Sequence, residues 1–255
     1  MSSSDEAQAE HVTHAGHPGH TGPAGHGDHD GHGADDGHGA HGGHGEADPE
    51  ATAEEYWDGR YGTERMWSGR PNAALVREAA DLTPGTVLDL GCGEGGDAIW
   101  LAHQGWQVRA VDVSQVALDR GAAHAADAGV PAGSIEWQRH NLADTFPDGR
   151  YDLVSTHFLH SPIEIPRERI LRSAAEAVAP GGVLLIVGHA GLPPWAPEPD
   201  HEVSFPTAVE VQRDLELPDG AWEVLVADER ERDATDPDGN PSRLTDSVLM
   251  LRRRP

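Results

Sequence analysis

The feature that most constrains this chain is a short apolar run that breaks into closely spaced glycines. Residues 87–96 read V-L-D-L-G-C-G-E-G-G, and a helical pattern of apolar residues begins directly after them. This pattern predicts a buried strand, a tight turn and the N-terminus of a helix. Glycine has no Cβ, so the backbone can approach a ligand where the free N–H groups of the helix end are exposed. The spacing is G-x-G-x-G, whereas a dinucleotide fingerprint has G-x-G-x-x-G.

A second predicted strand, residues 107–111, ends in Asp112, about 20 residues after Gly91. An acidic side chain at that position can accept hydrogen bonds from both hydroxyls of a ribose. Further strands alternate with helices, which predicts a parallel sheet covered on both faces. The predicted strands are 86–90, 107–112, 135–139, 151–156 and 182–188, with helices at about 95–104, 115–128 and 166–179.

Four segments of this region resemble the class I S-adenosylmethionine-dependent methyltransferases, in the order found in that family. They are L-D-L-G-C-G-E-G at 88–95, A-V-D-V-S at 110–114, Y-D-L-V-S at 151–155 and A-P-G-G-V-L at 179–184. The resemblance implies an α/β, Rossmann-like fold with a seven-stranded, mostly parallel sheet and a C-terminal antiparallel hairpin. Predicted strands at 222–227 and 246–251, with turn residues between them, supply that hairpin.

The resemblance implies S-adenosylmethionine as the cofactor and assigns residues to it. Asp112 would bind the ribose, Asp89 would orient the amino group, and Asn141 replaces the acid that usually contacts the adenine amine. Trp57 and Trp67 lie in a segment that resembles the lid of small-molecule methyltransferases of the tellurite-resistance and thiopurine type; packing a helix against the sheet is their alternative role. The predicted cofactor-binding residues are Trp57, Trp67, Asp89, Gly91, Cys92, Gly93, Asp112, Val113, Asn141, Leu142 and Thr156.

Three histidines fall at the ends of the fourth and fifth predicted strands, where related enzymes bind the methyl acceptor. His157 and His160 follow the fourth strand, and His189 ends the fifth. They can act as general bases, hold a metal together or remain structural. We predict these three as the candidate catalytic residues and give Cys92 no catalytic role. The resemblance to the tellurite-resistance type implies a small acceptor, either a thiol or a chalcogen or metalloid oxyanion.

The first 54 residues are rich in His, Gly, Ala and acids and contain few apolar side chains. We expect this tail to be disordered, ahead of a methyltransferase domain at 55–255, because it cannot bury enough surface to offset its ordering entropy. Its histidines keep a three-residue register that suits loose binding of Ni²⁺, Cu²⁺ or Zn²⁺, although a merely solubilising tail is the alternative. The predicted metal ligands are His11, His14, His17, His20, His26, His29, His32, His38, His41 and His44.

Composition excludes several classes of function. The chain has 255 residues, a formal net charge of −26 and no lysine, which argues against nucleic acid as a partner and excludes Schiff-base chemistry. No apolar run approaches the roughly 20 residues of a membrane helix, so we expect no membrane partner. The single cysteine and the absence of a visible secretory signal make a cytoplasmic protein the simplest interpretation.

The sequence therefore predicts an enzyme that transfers a methyl group from S-adenosylmethionine to a small molecule. A metal-handling protein that acts through the tail is the alternative, and an NAD-dependent dehydrogenase is disfavoured by the missing third fingerprint glycine. A nucleic-acid methyltransferase would be expected to carry a basic face or an Asn/Asp-Pro-Pro-Tyr-like motif, where this chain has S-T-H-F at 155–158. The acceptor, the tail's metal and the oligomeric state stay open at this point.

Overall fold

The computed structural model describes residues 51–63, 68–197 and 203–255. The strands are β1 (Thr86–Leu90), β2 (Gln107–Asp112), β3 (Ile135–Arg139), β4 (Tyr151–His157), β5 (Val178–His189), β6 (Trp222–Thr235) and β7 (Pro241–Arg253). The helices are α1 (Ala53–Thr63), α2 (Ala73–Ala79), α3 (Gly96–His103), α4 (Gln115–Asp127), α5 (Arg167–Glu176) and α6 (Ala208–Asp214). None of the helices in these ranges is long and apolar enough to span a membrane.

The strands form one seven-stranded sheet in the order β3-β2-β1-β4-β5-β7-β6. The first five strands pair in parallel, and β7 joins β5 antiparallel before β6 pairs antiparallel with β7. This arrangement confirms the predicted Rossmann-like fold with its C-terminal antiparallel hairpin. The strand order reverses between β1 and β4, which opens a crevice at the carboxyl ends of these strands.

The sheet is buried on both faces, as the alternating residues of β5 illustrate. Val183, Leu185 and Val187 pack with α2 and α3, whereas Leu184 and Ile186 pack with α5 and α6. A parallel strand covered on both faces needs apolar residues at consecutive positions. That requirement explains why the strands appear in the sequence as nearly continuous apolar runs.

The sequence analysis does not predict α1 or α6, and both begin with the same capping motif, T-x-x-E. The amide of Glu55 donates to Thr52 Oγ1 at 3.2 Å while the amide of Thr52 donates to Glu55 Oε2 at 3.0 Å. Thr207 and Glu210 make the same reciprocal pair at the start of α6. A capping box satisfies two amides that would otherwise lack partners, so a short polar segment can begin a helix. Helix α1 begins at Ala53, before the boundary predicted at residue 55.

The helix predicted at 166–179 is shorter in the structure, because the next strand begins early. Helix α5 ends at Glu176 and β5 begins at Val178. Tyr151 pairs with Val178 before the register shifts, and Gly181 within β5 has a φ of +80°. Glycine permits this irregular start of the strand. The segment P-G-G at 180–182, which follows the predicted helix end at 179, is therefore a distortion within β5.

The C-terminal hairpin is longer than the strands predicted at 222–227 and 246–251. Its pairing continues out to Thr235 opposite Pro241, whereas β5 follows β7 only as far as His189 opposite Asp246. The far part of the hairpin therefore projects beyond the carboxyl end of the sheet. We call residues 231–235 and 241–245 the hairpin arm.

An irregularity near the base of β6 sets which side chains of the arm share a face. Val224 pairs with Leu251 and Val226 pairs with Met250, so Leu225 is an extra residue on β6. A β-bulge of this kind inverts the alternation of every residue that follows it on the same strand.

Candidate active site

A cavity of about 210 Å³ opens at the carboxyl ends of the strands, where the strand order reverses. Its walls come from the glycine turn after β1, the ends of β2, β4 and β5, helix α1 and the hairpin arm. Ligands bind at this position in sheets of this kind. The predicted residues that line the cavity are Trp57, Gly91, Cys92, Gly93, Asp112, Val113, Asn141, Leu142, His157, His160 and His189.

The glycine turn is held in conformations that glycine adopts readily. The φ angles are +72° at Gly91, +52° at Gly93 and +83° at Gly95. A Cβ at Gly95 would lie 2.4 Å from Cη2 of Trp137, and the amide of Gly91 donates to the carbonyl of Val111 at 2.9 Å. The turn is therefore fixed against β2 and β3 by contacts that other residue types would disrupt.

Asp112 ends β2 at the cavity wall and is 8% exposed. Its Oδ2 accepts from the amide of Gly93 and its Oδ1 from the amide of Ser114, both at 2.9 Å. Burial raises the pKa of Asp112, and these backbone hydrogen bonds partly counteract the rise. Each oxygen keeps a lone pair for a ligand, so the carboxylate is oriented and available. Its contact with a ribose stays a prediction.

Behind the turn, Asp89, Asp97 and His157 form a buried cluster whose ligand atoms lie within 4.8 Å of one another. Asp97, in the first turn of α3, accepts from the backbone and side-chain amides of Asn72 at 2.6 and 2.7 Å. His157 Nδ1 lies 3.2 Å from Asp97 Oδ2, but the two groups do not have the geometry of a hydrogen bond. Asp89 Oδ1 accepts from Ser155 Oγ at 3.4 Å, and its Oδ2 has no hydrogen-bond partner in the described ranges.

The electrostatics of this cluster favour a positively charged ligand. Burial raises the pKa of Asp89 well above its ordinary value, and the carboxylate of Asp97 raises it further. Burial lowers the pKa of His157, against the opposite effect of Asp97, so the imidazole is neutral near pH 7. Two carboxylates and a neutral imidazole can hold an amino group or a metal ion. Among the described residues this cluster, and not His157 with His160 and His189, supplies three ligand atoms close together.

Several predicted site residues do not reach the cavity. Asp89 is 2% exposed and Thr156 is 1% exposed, and neither lines the wall. Successive side chains on a strand alternate between its faces, so Thr156 lies on the side of β4 opposite to His157. Trp67 and the ten tail histidines lie outside the described residues, so the lid role of Trp67 and the metal role of the tail stay predictions.

Helix α1 forms a wall of the cavity through Trp57 and Tyr61. Trp57 Nε1 donates to Ser161 Oγ, in the loop after β4, at 3.3 Å. Asp58 Oδ1 accepts from the hydroxyl of Ser114, at the start of α4, at 2.6 Å. Because α1 is tied to both loops, Trp57 contributes to the wall of the cavity in addition to packing its own helix.

Aromatic rings form a stack on the other side of the cavity. The rings of Phe158 and His189 lie 4.3 Å apart between centroids, and those of His160 and His189 lie 5.7 Å apart. Phe158 has a φ of +51°, a strained conformation for a side chain of this size. Trp195 also lines the cavity. The loop after β4 therefore carries strain at the point where it positions the stack.

The hairpin arm contributes Arg232, a cavity residue that the sequence analysis misses. Its Nε donates to Asp246 Oδ2 at 2.8 Å, and its Cζ lies 5.8 Å from the ring centroid of Phe158. Residues 228–233 read D-E-R-E-R-D, an alternation of charge typical of a strand with two unlike faces. This alternation could have predicted a strand, but a segment made only of charged residues does not suggest that one of its side chains is buried.

Comparisons with known proteins agree with this geometry. Residues 87–182 match the family model described as a methyltransferase domain. A ribosomal RNA small subunit methyltransferase C from Alcanivorax borkumensis is 32% identical over 157 residues, which cover 58% of this chain and 45% of the relative. A 2-heptyl-1-hydroxyquinolin-4(1H)-one methyltransferase from Mycobacteroides abscessus is 33% identical over 152 residues, which cover 57% of this chain and 65% of the relative. The chain thus spans about half the length of the curated relatives it matches.

A solved structure, described as the conversion of a disulfide bond into a thioacetal group during echinomycin biosynthesis, has the same fold. Its TM-score is 0.63 at 24% identity, and the match covers 80% of this chain and 92% of that chain. Residues 87–182 are therefore similar to the methyltransferase domain of that family model, and the strand order of the sheet is the Rossmann-like order that the sequence predicts.

Proposed function

We propose that this protein transfers a methyl group from S-adenosylmethionine to a small-molecule acceptor. One observation carries the proposal, namely the buried carboxyl groups of Asp97 and Asp112 in the cavity wall beside the glycine turn. S-adenosylmethionine carries a positive sulfonium and a positive ammonium, which carboxylates attract. The diphosphate of NAD would be repelled by the same groups. The electrostatics therefore favour a methyl donor at this turn.

Each part of the cofactor has a candidate partner in the cavity wall. Asp112 would accept from the ribose hydroxyls, and Asp97, which lines the cavity, would face the ammonium, with Asp89 acting on it from within the buried cluster. Asn141 Oδ1 already accepts from the amide of Ala143 at 3.1 Å, which leaves a lone pair for the amino group of adenine. Trp57, on α1, would cover the bound cofactor and exclude water from it.

The proposed reaction needs little covalent chemistry from the protein. A lone pair of the acceptor forms a bond to the methyl carbon while the bond from that carbon to sulfur breaks, and the neutral thioether S-adenosylhomocysteine remains. Alignment of the two reactants supplies much of the acceleration of such a displacement. His160 and His189 would take a proton from a thiol, hydroxyl or amine acceptor, whereas a thiolate or oxyanion has none to lose.

We propose that the acceptor is a thiol or a chalcogen or metalloid oxyanion, as the resemblance to the tellurite-resistance type implies. The aromatic stack and Arg232 on the acceptor wall support a small molecule with a polar group. One relative is named for methylating a quinolone and another for methylating ribosomal RNA. The net charge of −26 argues against nucleic acid as the acceptor of this chain. We also propose a cytoplasmic location.

Calorimetric titration of the full-length protein with S-adenosylmethionine and with NAD tests the cofactor, with a chelator present so that the tail carries no metal. We expect micromolar affinity for S-adenosylmethionine and no binding of NAD. A panel of thiols, tellurite and selenite, assayed with methyl-labelled S-adenosylmethionine, then tests the acceptor class. Binding of NAD in preference to S-adenosylmethionine would overturn the proposal.

A further inference from the structure

Arg232 lies in an unusual environment for an arginine. Its side chain is 5% exposed, and it projects from the hairpin arm into the wall of the cavity. Its Nε donates to Asp246, yet Nη1 and Nη2 have no hydrogen-bond partner in the part of the chain that the structure describes. A buried donor left without a partner destabilises the folded state, and more so when it is charged. The two terminal nitrogens therefore require an acceptor that the described residues do not supply.

The groups around the guanidinium define what that acceptor can be. Asp246, on β7, is the counter-charge, and its side chain is only 3% exposed. Burial raises the pKa of Asp246, against the lowering effect of Arg232. When the aspartate is ionised the pair is neutral overall, so the cavity gains directed donors more than net positive charge. Two parallel N–H donors in a planar fork match the two oxygens of one carboxylate.

Aromatic and apolar side chains share the cavity wall with this ion pair. Phe158 presents its ring beneath the guanidinium, and Leu244 and Trp195 line the same cavity. Such a wall suits an organic molecule, whose carbon skeleton can pack against the apolar side chains. A free inorganic ion has no apolar part that could make these contacts.

We propose that Arg232 binds a carboxylate of the methyl acceptor, so that, of the two acceptor classes proposed above, the site takes an organic thiol that carries an acid group and not an inorganic oxyanion. This inference rests on the proposed function, because it assigns the acceptor side of the same cavity. Two kinds of ligand could present an oxyanion to the guanidinium fork: an organic carboxylate and a free inorganic oxyanion. The test below distinguishes them.

The test uses the full-length protein saturated with S-adenosylhomocysteine and three probes: phenylacetate, its neutral isostere phenylacetamide, and sodium tellurite. Binding is measured by calorimetry for the wild type and for Arg232→Gln. The double variant Arg232→Gln with Asp246→Asn replaces the ion pair by two amides, in case a buried lone carboxylate prevents folding. Arg243→Gln is the matched control, because Arg243 is an exposed arginine of the same arm, paired with Glu231.

We expect the wild type and Arg243→Gln to bind phenylacetate at least about tenfold more tightly than phenylacetamide, which corresponds to about 1.4 kcal/mol. The preference should vanish in Arg232→Gln and in the double variant. If tellurite binds more tightly than phenylacetate and its binding also depends on Arg232, the proposal of an organic acid is overturned. The ligand of Arg232 would then be an inorganic oxyanion. Equal binding of acid and amide to the wild type, binding of neither at millimolar concentrations, or a preference that survives in Arg232→Gln would overturn the site itself.

Affinity for S-adenosylhomocysteine separates failure of this inference from failure of the proposed function. Every variant should retain that affinity, which also reports that it has folded. Loss of S-adenosylhomocysteine binding in the wild type would contradict the methyltransferase proposal, whatever the probes do.

Discussion

The two sides of the cavity are constructed differently. On the side of β1 and β2, the wall consists of the backbone of a glycine turn and the carboxyl groups of Asp97 and Asp112, all within residues 91–112. On the side of β5 and the hairpin arm, the wall consists of stacked aromatic rings and a guanidinium that come from distant segments. The first side is acidic and depends on backbone geometry; the second depends on side chains.

This difference separates what is common to the methyltransferase fold from what is particular to this chain. A cofactor shared by many enzymes can be bound by the backbone of a tight turn. Few residue types fit such a turn, so it is recognisable as a motif in the sequence. An acceptor wall made of side chains can change by single substitutions that leave the backbone of its strands in place. Four predictions test whether the two sides behave as independently as their construction suggests.

The largest effect is expected on the arm side, from Asp246→Ala. The substitution leaves the guanidinium of Arg232 buried without its counter-charge, which costs about 3–5 kcal/mol of unfolding free energy. Urea unfolding of the variant against the wild type measures the loss. The double variant Arg232→Met with Asp246→Leu should recover most of it, since an apolar pair of similar size replaces the ion pair. A loss below about 1 kcal/mol for the single variant would show that the pair is hydrated.

On the cofactor side, Asp112→Ala should weaken S-adenosylmethionine binding by at least about 100-fold. Hydrogen bonds to a charged group contribute about 1.5–3 kcal/mol each, and the variant loses those to the ribose as well as two that orient the turn. Calorimetry measures the change. Arg232→Gln is the matched control across the cavity and should bind S-adenosylmethionine as the wild type does; if both variants lose binding together, the two sides are coupled.

Asp89→Asn should alter the pH dependence of stability in the cofactor-free protein. The pKa of Asp89 is raised in the folded state by burial and by Asp97, so the folded protein holds this proton more tightly than the unfolded chain. Stability therefore falls as pH rises from the ordinary aspartate range through the raised folded pKa, by about 1.4 kcal/mol for each unit of difference. Urea unfolding across a pH series should show a flatter curve for the variant. An unchanged curve would mean that the carboxylate ionises without cost.

Trp57→Phe should have the smallest effect, because it removes one partly buried hydrogen bond and keeps an aromatic ring. The bond from Nε1 to Ser161 is 3.3 Å long, and a neutral hydrogen bond contributes about 0.5–1.5 kcal/mol. S-adenosylmethionine affinity should fall by less than about tenfold. Ser161→Ala should produce the same loss, and the double variant no further loss. A loss in Trp57→Phe that Ser161→Ala does not reproduce would mean that Trp57 acts through packing and not through this hydrogen bond.

The contrast also explains how far the sequence predicts the structure. The turn at 91–95 and the carboxylate of Asp112 are predictable, because positive φ angles and close approach restrict the residue types that fit. Helix α1 is missed although Thr52 and Glu55 supply its capping box, since the apolar periodicity that usually marks a helix is weak there. The short T-x-x-E motif was the informative signal, and it recurs at α6.

The acceptor wall is less predictable because it depends on contacts between distant segments. Arg232 meets Phe158 only because β7 inserts between β5 and β6 and carries the arm past the end of the sheet. The alternating charges of 228–233 indicate a strand with two faces, but not which face is covered. Thr156, which we predict as a cofactor contact, is buried on the side of β4 opposite to His157 and does not line the cavity, so its contact with a cofactor stays a prediction.

The extra residue Leu225 takes up a mismatch in length between the two strands at the base of the hairpin. Val224 faces Leu251 and Val226 faces Met250, so the β6 residues beyond Leu225 keep regular partners on β7, and Arg232 lies opposite Leu244. A one-residue deletion between Val226 and Arg232 would instead bring Asp233 opposite Leu244 and turn Arg232 to the other face of the arm, because neighbouring residues of a strand alternate between its faces. The presence of a guanidinium in the cavity therefore depends on the number of residues along β6 as much as on which residue occupies position 232.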